Sequence, residues 1–230
     1  MIVHEKIQKV IDYYHSELKK FQLDTSNPTN PKVYLKLRGI TKESIIKFKL
    51  GYAPTNCHIV PRFHDRIIFP IWDAYGNPIG WTGRTLIDAS SKYINVKESP
   101  EYQKGRVLYL YHIAKKSIMA SGWAILVEGQ IDAIMLHQYG FKNTVAASGT
   151  AFKTAAANIL ARYANRVYII FDSDEAGKKA KLKAAKLLKE TGIDVYLVSI
   201  PDNEDDPDFF IRKYGKEAFI QLIKNSQRIE

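Results

Sequence analysis

The second half of the chain alternates short apolar runs with stretches of helical spacing, and this alternation restricts the possible fold more than any other feature. The strand-like runs read WAILVEG, NTVAASG, VYIIFDSD and DVYLVSIP, and a helical segment follows each of them. Strands that alternate with helices are typical of βαβ units, whose strands form a parallel sheet. The sequence therefore predicts an α/β domain with a parallel sheet, which we place at residues 119–230.

Residues 1–118 carry a different pattern and are expected to form an α+β subdomain. Apolar side chains at helical spacing predict an amphipathic helix over residues 3–22, and two shorter helices are expected at 33–37 and after Thr41. The runs RIIFPIWD and IGWTGRTL flank the turn sequence YGNP, which predicts a β-hairpin.

The charge of the chain is concentrated in its first half. The formal net charge is +10; residues 1–120 hold 19 Lys and Arg against 10 Asp and Glu, and residues 121–230 hold 15 against 14. A basic region beside a nearly neutral, carboxylate-bearing region favours a polyanionic partner such as nucleic acid. Excess lysine is also a common background bias, so charge alone does not decide the partner.

Cysteine content and hydropathy restrict the setting of the protein. The single cysteine, Cys57, excludes an intrachain disulfide and a cysteine cluster for zinc, and fits a reducing, cytoplasmic location. No apolar run approaches the length of about 18 residues that a membrane-spanning helix requires, so no membrane association is expected.

Carboxylates follow three of the predicted strands. Glu128 ends WAILVEG, Asp172 and Asp174 end VYIIFDSD, and Asp206 and Asp208 follow DVYLVSIP across an acidic loop. Because the carboxyl ends of parallel strands meet at one edge of a sheet, these five side chains are expected to converge. Their hard oxygen atoms favour Mg²⁺ or Mn²⁺, and two such ions are suited to phosphoryl transfer. An Asp at a strand end often only caps the next helix, and that interpretation stays open for each residue taken alone.

At this point the sequence resembles two known groups of proteins. The second half resembles a TOPRIM domain through EG at 128–129 with Asp132, GT at 149–150, DSDEAG at 172–177 and DPD at 206–208. The first half resembles the catalytic core of bacterial DnaG-type primases. Its matching segments are YLKLRGI at 34–40, GYAP at 51–54, RIIFPI at 66–71, GWTGR at 80–84, KYIN at 92–95 and KG at 104–105.

The resemblance implies an α/β core that makes short RNA primers from NTPs on a single-stranded DNA template, by two-metal nucleotidyl transfer. It implies that two or more Mg²⁺ or Mn²⁺ ions are held by Glu128, Asp172, Asp174, Asp206 and Asp208. Glu128, Asp172 and Asp174 would be catalytic, and Asp132 would support the acidic cluster. The implied nucleotide- and nucleic-acid-binding residues are Arg38, Arg84, Lys92, Tyr93, Asn95 and Lys104. Arg66 is expected to support its strand rather than to touch a ligand.

Several departures from the family pattern bear on these expectations. Ser173 stands where the family usually has glycine, which is tolerable if the backbone there is not at positive φ. The acidic loop before Asp206 is one residue richer in carboxylates, so the register of the last ligands is uncertain by one. The family's zinc-binding and helicase-binding parts have no counterpart in this sequence, so we expect no zinc here and any helicase contact through other segments.

Two other functions use the same residues. A TOPRIM nuclease would hydrolyse phosphodiesters with the same carboxylates but leaves the primase-like first half unexplained. A non-catalytic nucleic-acid-binding protein would not need all five carboxylates. A topoisomerase would need a separate domain with a nucleophilic tyrosine. We expect a monomer.

Overall fold

The computed structural model describes residues 3–27, 29–87, 91–148, 152–201 and 206–230. The chain folds into two compact units, Met1–Glu101 and Tyr102–Glu230. The first is an α+β unit and the second an α/β unit, as the sequence predicted.

The first unit contains three helices and an antiparallel sheet within its described residues. The elements are α1 (Val3–Lys20), α2 (Pro31–Leu37), α3 (Lys42–Lys47), β1 (Gly51–Ala53), β2 (Arg66–Trp72), β3 (Pro78–Thr85) and β4 (Tyr93–Asn95), in the sheet order β1-β2-β3-β4. The predicted hairpin is confirmed as β2 and β3. Its turn is closed by Asp73, whose Oδ1 accepts hydrogen bonds from the Tyr75 and Asn77 amides at 2.8 Å each. The sequence pattern missed β1, because three residues are too few to show a period.

The core of this unit forms where α1 lies on the sheet. The apolar stripe predicted for α1 is confirmed, since Ile11, Tyr14 and Leu18 are fully buried. The ring of Tyr14 meets the edge of Trp81 with 5.8 Å between ring centroids. The helix backbone approaches β1 so closely that a Cβ atom added to Gly51 would lie 2.7 Å from the carbonyl carbon of Tyr14. Only glycine therefore fits at this crossing.

The second unit contains a mostly parallel sheet with helices on both faces. The elements are α4 (Tyr111–Ser121), β5 (Trp123–Val127), α5 (Gln130–Gln138), β6 (Thr144–Ala146), α6 (Thr154–Ala161), β7 (Arg166–Ile170), α7 (Glu175–Lys189), β8 (Asp194–Leu197), α8 (Pro207–Lys224) and β9 (Gln227–Arg228). The sheet order is β6-β5-β7-β8-β9, and β9 alone pairs antiparallel with its neighbour. The parallel sheet is confirmed, whereas β9, two exposed polar residues, gave no sequence signal.

The order of the strands creates a switch point at the centre of this sheet. From β5 the chain moves to β6 on one side and then crosses back to β7 on the other. The helices divide accordingly, with α5 packed against α8 and α6 against α7. In open α/β sheets, ligands bind outside the carboxyl ends of the strands at such a point. A ligand-binding site is therefore expected in the crevice beyond the carboxyl ends of β5 and β7.

The start of the second unit differs from the predicted domain boundary. Residues 102–118, which the sequence assigned to the first domain, belong by packing to the second unit. Tyr109 pairs with Ala146, and α4 packs against β5 and β6. The compact unit thus begins before the predicted division at 118/119, because packing against the sheet edge leaves no periodic signal. The functional division into residues 1–118 and 119–230 stays a prediction.

Two helical segments of the second unit agree with their sequence patterns. Helix α5 is buried along nearly its whole length, as expected for a helix that is apolar on most sides. Two short helices were predicted after Pro207, and this is confirmed: the run Pro207–Lys224 consists of two helices joined at Gly215, whose φ of 82° and ψ of −179° are not helical. We keep the label α8 for the whole run.

Among the helices of the described ranges, none combines the length and apolar character needed to cross a membrane.

We expect Gly51→Ala to lower the free energy of unfolding by about 2 to 3 kcal/mol, because the new methyl group would overlap the backbone of α1. Denaturant unfolding measures this loss. Gly76→Ala is the matched control: Gly76 has φ +90° and open space around it, so only backbone strain of about 1 kcal/mol is expected. Equal losses in the two variants would contradict the close crossing of α1 over β1.

Candidate functional site

Neighbouring strands bring Glu128 and Asp172 to the same edge of the second sheet. Strand β5 ends at Val127 and β7 ends at Ile170, and these two residues are partners in the parallel register. Glu128 follows β5 directly, and Asp172 follows β7 after the buried Phe171. Both carboxylates therefore lie at the carboxyl ends of adjacent strands, where the sequence pattern placed them.

The side chains at this edge form a crowded group of negative charges. Burial, followed by the charges of Glu128, Asp206, Asp174 and Asp208, raises the pKa of Asp172 to about 7. Burial and the charge of Asp174 likewise raise the pKa of Glu128. The five carboxylates thus lie close enough to act on one another, while their roles as metal ligands stay predictions.

Two carboxylate oxygens in this group have no hydrogen-bond partner in the part of the chain that the structure describes. Oε2 of Glu128 and Oδ1 of Asp172 are buried and accept no hydrogen bond from any described residue. A buried, unpartnered carboxylate oxygen is costly, and a divalent cation is its usual partner where several carboxylates meet. The donor set consists of oxygens only, which suits a hard cation. The residues therefore fit a divalent metal site.

A second part of the cluster is tied down by backbone amides. Oxygens of Asp132, Asp206 and Asp208 lie within 4.8 Å of one another and are positioned to hold a metal ion. Asp132 accepts hydrogen bonds from the Gly129 amide at 3.0 Å and the Asp208 amide at 3.3 Å. Asp132 was expected to support the cluster, and that role stays a prediction; the structure places its carboxylate in this group of three. Its position as the third residue of α5, where it caps the helix start, explains this placement.

Asp206 and Asp208 are placed by the start of α8. Asp206 is the N-cap of this helix and accepts a hydrogen bond from the Phe209 amide at 2.7 Å. Asp208 is fully buried and accepts a hydrogen bond from Nη2 of Arg212, one turn along the helix, at 2.9 Å. Sequence reasoning did not identify Arg212, although its i, i+4 spacing from Asp208 was an available signal.

The turn after β7 depends on Gly177. Asp174 is the N-cap of α7 and accepts a hydrogen bond from the Gly177 amide at 2.6 Å. A Cβ atom on Gly177 would lie 2.4 Å from the carbonyl oxygen of Asp172. Glycine is therefore required for the helix to start this close to the aspartates. Ser173 is not among the described residues with positive φ, so the condition set for its replacement of glycine is met.

Two predicted motifs lie outside the described residues. These are GT at 149–150 and the acidic loop at 202–205. The register of the last ligands, counted through that loop, stays a prediction.

In the first unit, Arg84 lies between two tyrosine rings. Its guanidinium carbon is 4.5 Å from the ring centroid of Tyr34 and 5.6 Å from that of Tyr93. Strand pairing explains the contact with Tyr93, because Arg84 on β3 and Tyr93 on β4 are partners in the sheet. Nε of Arg84 is buried and makes no hydrogen bond within the described residues. We call Tyr34, Arg84 and Tyr93 the tyrosine–arginine patch. No role was predicted for Tyr34 from the sequence, although it begins the YLKLRGI motif.

The other predicted binding residues have varied surroundings. Asn95 is the partner of Thr82 across the sheet and accepts its hydroxyl hydrogen bond at 2.7 Å. Arg38 follows the end of α2 and is half-buried, Lys92 is exposed beside Tyr93, and Lys104 is half-buried in the second unit. Arg66 donates to the carbonyl oxygens of Ser91 and Lys92 at 3.1 and 3.3 Å, which agrees with its expected supporting role.

Comparison with known proteins identifies the family of both units. Residues 55–115 match the family model "DNA primase catalytic core, N-terminal domain", and residues 125–211 match the Toprim-like model. The DNA primase of Clostridium acetobutylicum is 36% identical over 98% of this chain, and that of Aquifex aeolicus is 35% identical over 97%. The chain spans 42% and 49% of the lengths of these two relatives.

Solved structures share the fold along nearly the whole chain. The zinc-binding and RNA polymerase domains of the Aquifex aeolicus primase superpose with a TM-score of 0.88 and 34% identity, covering 99% of this chain and 61% of theirs. A DnaG primase catalytic domain bound to single-stranded DNA gives a TM-score of 0.83 and 29% identity over 98% of this chain and 78% of that one. Since sequence and fold agree over both units, this chain belongs to the DnaG-type primase family and corresponds to the catalytic core of its members.

Proposed function

We propose that this chain is a primase catalytic core, a nucleotidyltransferase that synthesises short RNA primers from NTPs on single-stranded DNA. The observation that carries the proposal is the carboxylate cluster at the ends of β5 and β7, in which Glu128 and Asp172 each keep a buried oxygen with no partner among the described residues. Its occurrence in a chain that matches DNA primases along both units supports this chemistry. A cytoplasmic location would follow from that role.

The carboxylates have two kinds of task in this proposal. Glu128, Asp172 and Asp174 would be the catalytic ligands, and Asp206 and Asp208 would complete the donor set for two or more ions. Bound Mg²⁺ or Mn²⁺ would neutralise the charge that develops on the attacking and leaving oxygens of a phosphoryl transfer. Asp132, which accepts hydrogen bonds from the Gly129 and Asp208 amides, would keep the starts of α5 and α8 in position.

The basic and aromatic residues would bind template and nucleotide. A guanidinium such as Arg84 or Arg38 can hold a phosphate bidentately, whereas Lys92 and Lys104 offer point charges. Tyr93, 37% exposed, presents a ring face on which a base can stack. Asn95 would donate or accept hydrogen bonds beside it. The 3′-hydroxyl of the primer would attack the α-phosphorus of the incoming NTP, which forms a phosphodiester bond and releases pyrophosphate.

One incubation separates this proposal from the two alternatives. The protein is incubated with single-stranded DNA, labelled NTPs and Mn²⁺. Labelled short RNA supports primer synthesis, shortened DNA identifies a nuclease, and a shifted but unchanged strand identifies a binding protein without catalysis.

We expect Asp172→Ala to reduce NTP incorporation by roughly a hundredfold or more, because it removes a central oxygen donor of the cluster. The measurement is the rate of labelled RNA synthesis in Mg²⁺ or Mn²⁺. Ser173→Gly is the matched control one residue away and should retain nearly full activity, since φ at Ser173 is not positive. Primer extension by Asp172→Ala at a near wild-type rate would show that the metal assignment is wrong.

The raised pKa of Asp172 makes stability depend on pH in a defined direction. Its pKa is raised from 3.8 to about 7, so the folded chain binds more protons than the unfolded chain between these values. Stability should therefore fall as pH rises through this window when divalent ions are chelated. We expect Asp172→Asn to remove much of that fall. At about pH 8 it should raise the free energy of unfolding by about 2 kcal/mol, a value reduced by the partial exposure of the side chain.

Denaturant unfolding in EDTA at several pH values measures this effect. Adding Mg²⁺ or Mn²⁺ should stabilise the wild type more than the variant, because the cation relieves the same repulsion. An Asn variant that is less stable than the wild type at about pH 8 in EDTA would contradict the crowding of charge at this edge.

We expect Arg84→Ala to weaken binding of single-stranded DNA by about tenfold, through loss of a phosphate contact and of the planar group between two rings. Arg84→Lys should not restore the affinity, because an ammonium group lacks the planar stack. Fluorescence anisotropy with a labelled oligonucleotide at fixed salt measures both. Lys116→Ala, an exposed site on α4, is the control and should change affinity by less than about twofold. Equal binding by wild type and Arg84→Ala would exclude the patch as a binding surface.

A further inference from the structure

A groove in the first unit lies among the end of α1, α2 and α3, and none of the residues proposed to bind template lines it. Its volume is about 530 Å³. The apolar side chains that line it are Leu23, Ile40, Ile45 and Ile46. Leu23 is 49% exposed and Ile46 is 61% exposed, so aliphatic surface is presented to solvent at a concave site. We call this site the α2–α3 groove.

Four lysines surround this apolar floor. Lys19, Lys32, Lys36 and Lys42 line the groove, and no acidic side chain of the described residues does so. Nζ of Lys32 donates to the carbonyl oxygen of Lys19 at 3.1 Å, which fixes this cation at the end of α1. The groove thus combines an aliphatic floor with a positively charged rim.

The acidic residue next in sequence to the rim offsets only part of its charge. Glu43 follows Lys42, and the pKa of its carboxyl is lowered first by its own backbone amide, then by the Thr41 hydroxyl and least by the charge of Lys42. The other three lysines of the lining keep the rim positive. Glu17, near the end of α1, is paired with Lys20 at 2.6 Å.

The chemistry of the lining favours peptide over nucleic acid. Base recognition on single strands uses aromatic faces and guanidinium groups, which the tyrosine–arginine patch has and the groove lining lacks. An aliphatic floor between cations instead matches a segment that carries Leu or Ile on one side and Asp or Glu beside them. Such a segment buries apolar area on the floor, and its carboxylates set orientation and association rate at the rim.

We propose that the α2–α3 groove binds an acidic amphipathic peptide segment of a partner protein. The apolar side chains of the segment lie on Ile40, Ile45 and Ile46. Its carboxylates face the four lysines of the rim. This site is additional to template and nucleotide binding and does not depend on the carboxylate cluster.

The test is fluorescence anisotropy of the full chain with a labelled synthetic peptide. The probe is a helix-forming peptide of about 14 residues with Leu at positions i, i+3, i+4 and i+7, Glu beside these positions and Ala elsewhere. We expect saturable binding that Lys36→Glu with Lys42→Glu weakens by at least about tenfold, because attractive contacts become repulsive. Lys6→Glu with Lys9→Glu makes the same change of charge on exposed positions of α1 outside the lining and should leave the affinity unchanged.

Further measurements distinguish the proposed acidic peptide from other ligands of the groove. Ile46→Asp should also weaken the peptide by at least about tenfold, since it places a carboxylate on the floor. Equal affinity for a probe with Lys in place of Glu would overturn the proposal. So would displacement of the peptide by a single-stranded oligonucleotide, or self-association of the chain that is lost in Lys36→Glu with Lys42→Glu. Circular dichroism and retained binding of single-stranded DNA establish that the variants are folded.

Discussion

Repulsion among carboxylates at the ends of β5 and β7 is the constraint around which the second unit is built. The parallel register brings Glu128 and Asp172 together, and the starts of α7 and α8 add Asp174, Asp206 and Asp208. Three helices, α5, α7 and α8, begin at this edge and direct their amino-terminal ends toward it. The positive end of a helix dipole stabilises nearby negative charge, so the topology itself offsets part of the repulsion.

The carboxylates of this cluster are not equally stabilised by the protein. Some accept hydrogen bonds from backbone amides at helix starts, and others do not. Asp132, Asp174 and Asp206 each accept a backbone amide at a helix start, so they would be placed there even in a protein without a metal. Glu128 and Asp172 come from strand ends, and each keeps a buried oxygen that has no partner among the described residues. A purely structural arrangement would not leave these two oxygens unsatisfied. Helix capping therefore explains the positions of Asp132, Asp174 and Asp206, but not those of Glu128 and Asp172.

Much of this unit could be predicted from the sequence, because its signals are local. Alternating runs identified the strands and helices, and the position of each carboxylate after a strand identified the site. Features that arise from packing were missed in both units: the strands β1 and β9, and the earlier start of the second unit. Tyr34 and Arg84 are in contact although they lie fifty positions apart in the sequence. The pattern of a single sequence does not predict contacts between residues so far apart. The α2–α3 groove was missed for the same reason, since its lysines come from separate segments.

The positive charge of residues 1–120 complements the negative charge of the carboxylate cluster in the second unit. A cluster of carboxylates repels every phosphate that a nucleotide or template would bring to it, and bound cations offset that repulsion only at the cluster itself. Beyond a Debye length of about 10 Å, attraction of a polyanion has to come from other fixed charges. In this chain the excess of Lys and Arg lies in residues 1–120, while residues 121–230 are nearly neutral. If this chain acts on nucleic acid as proposed, its basic first half would supply the long-range attraction that the carboxylate cluster cannot.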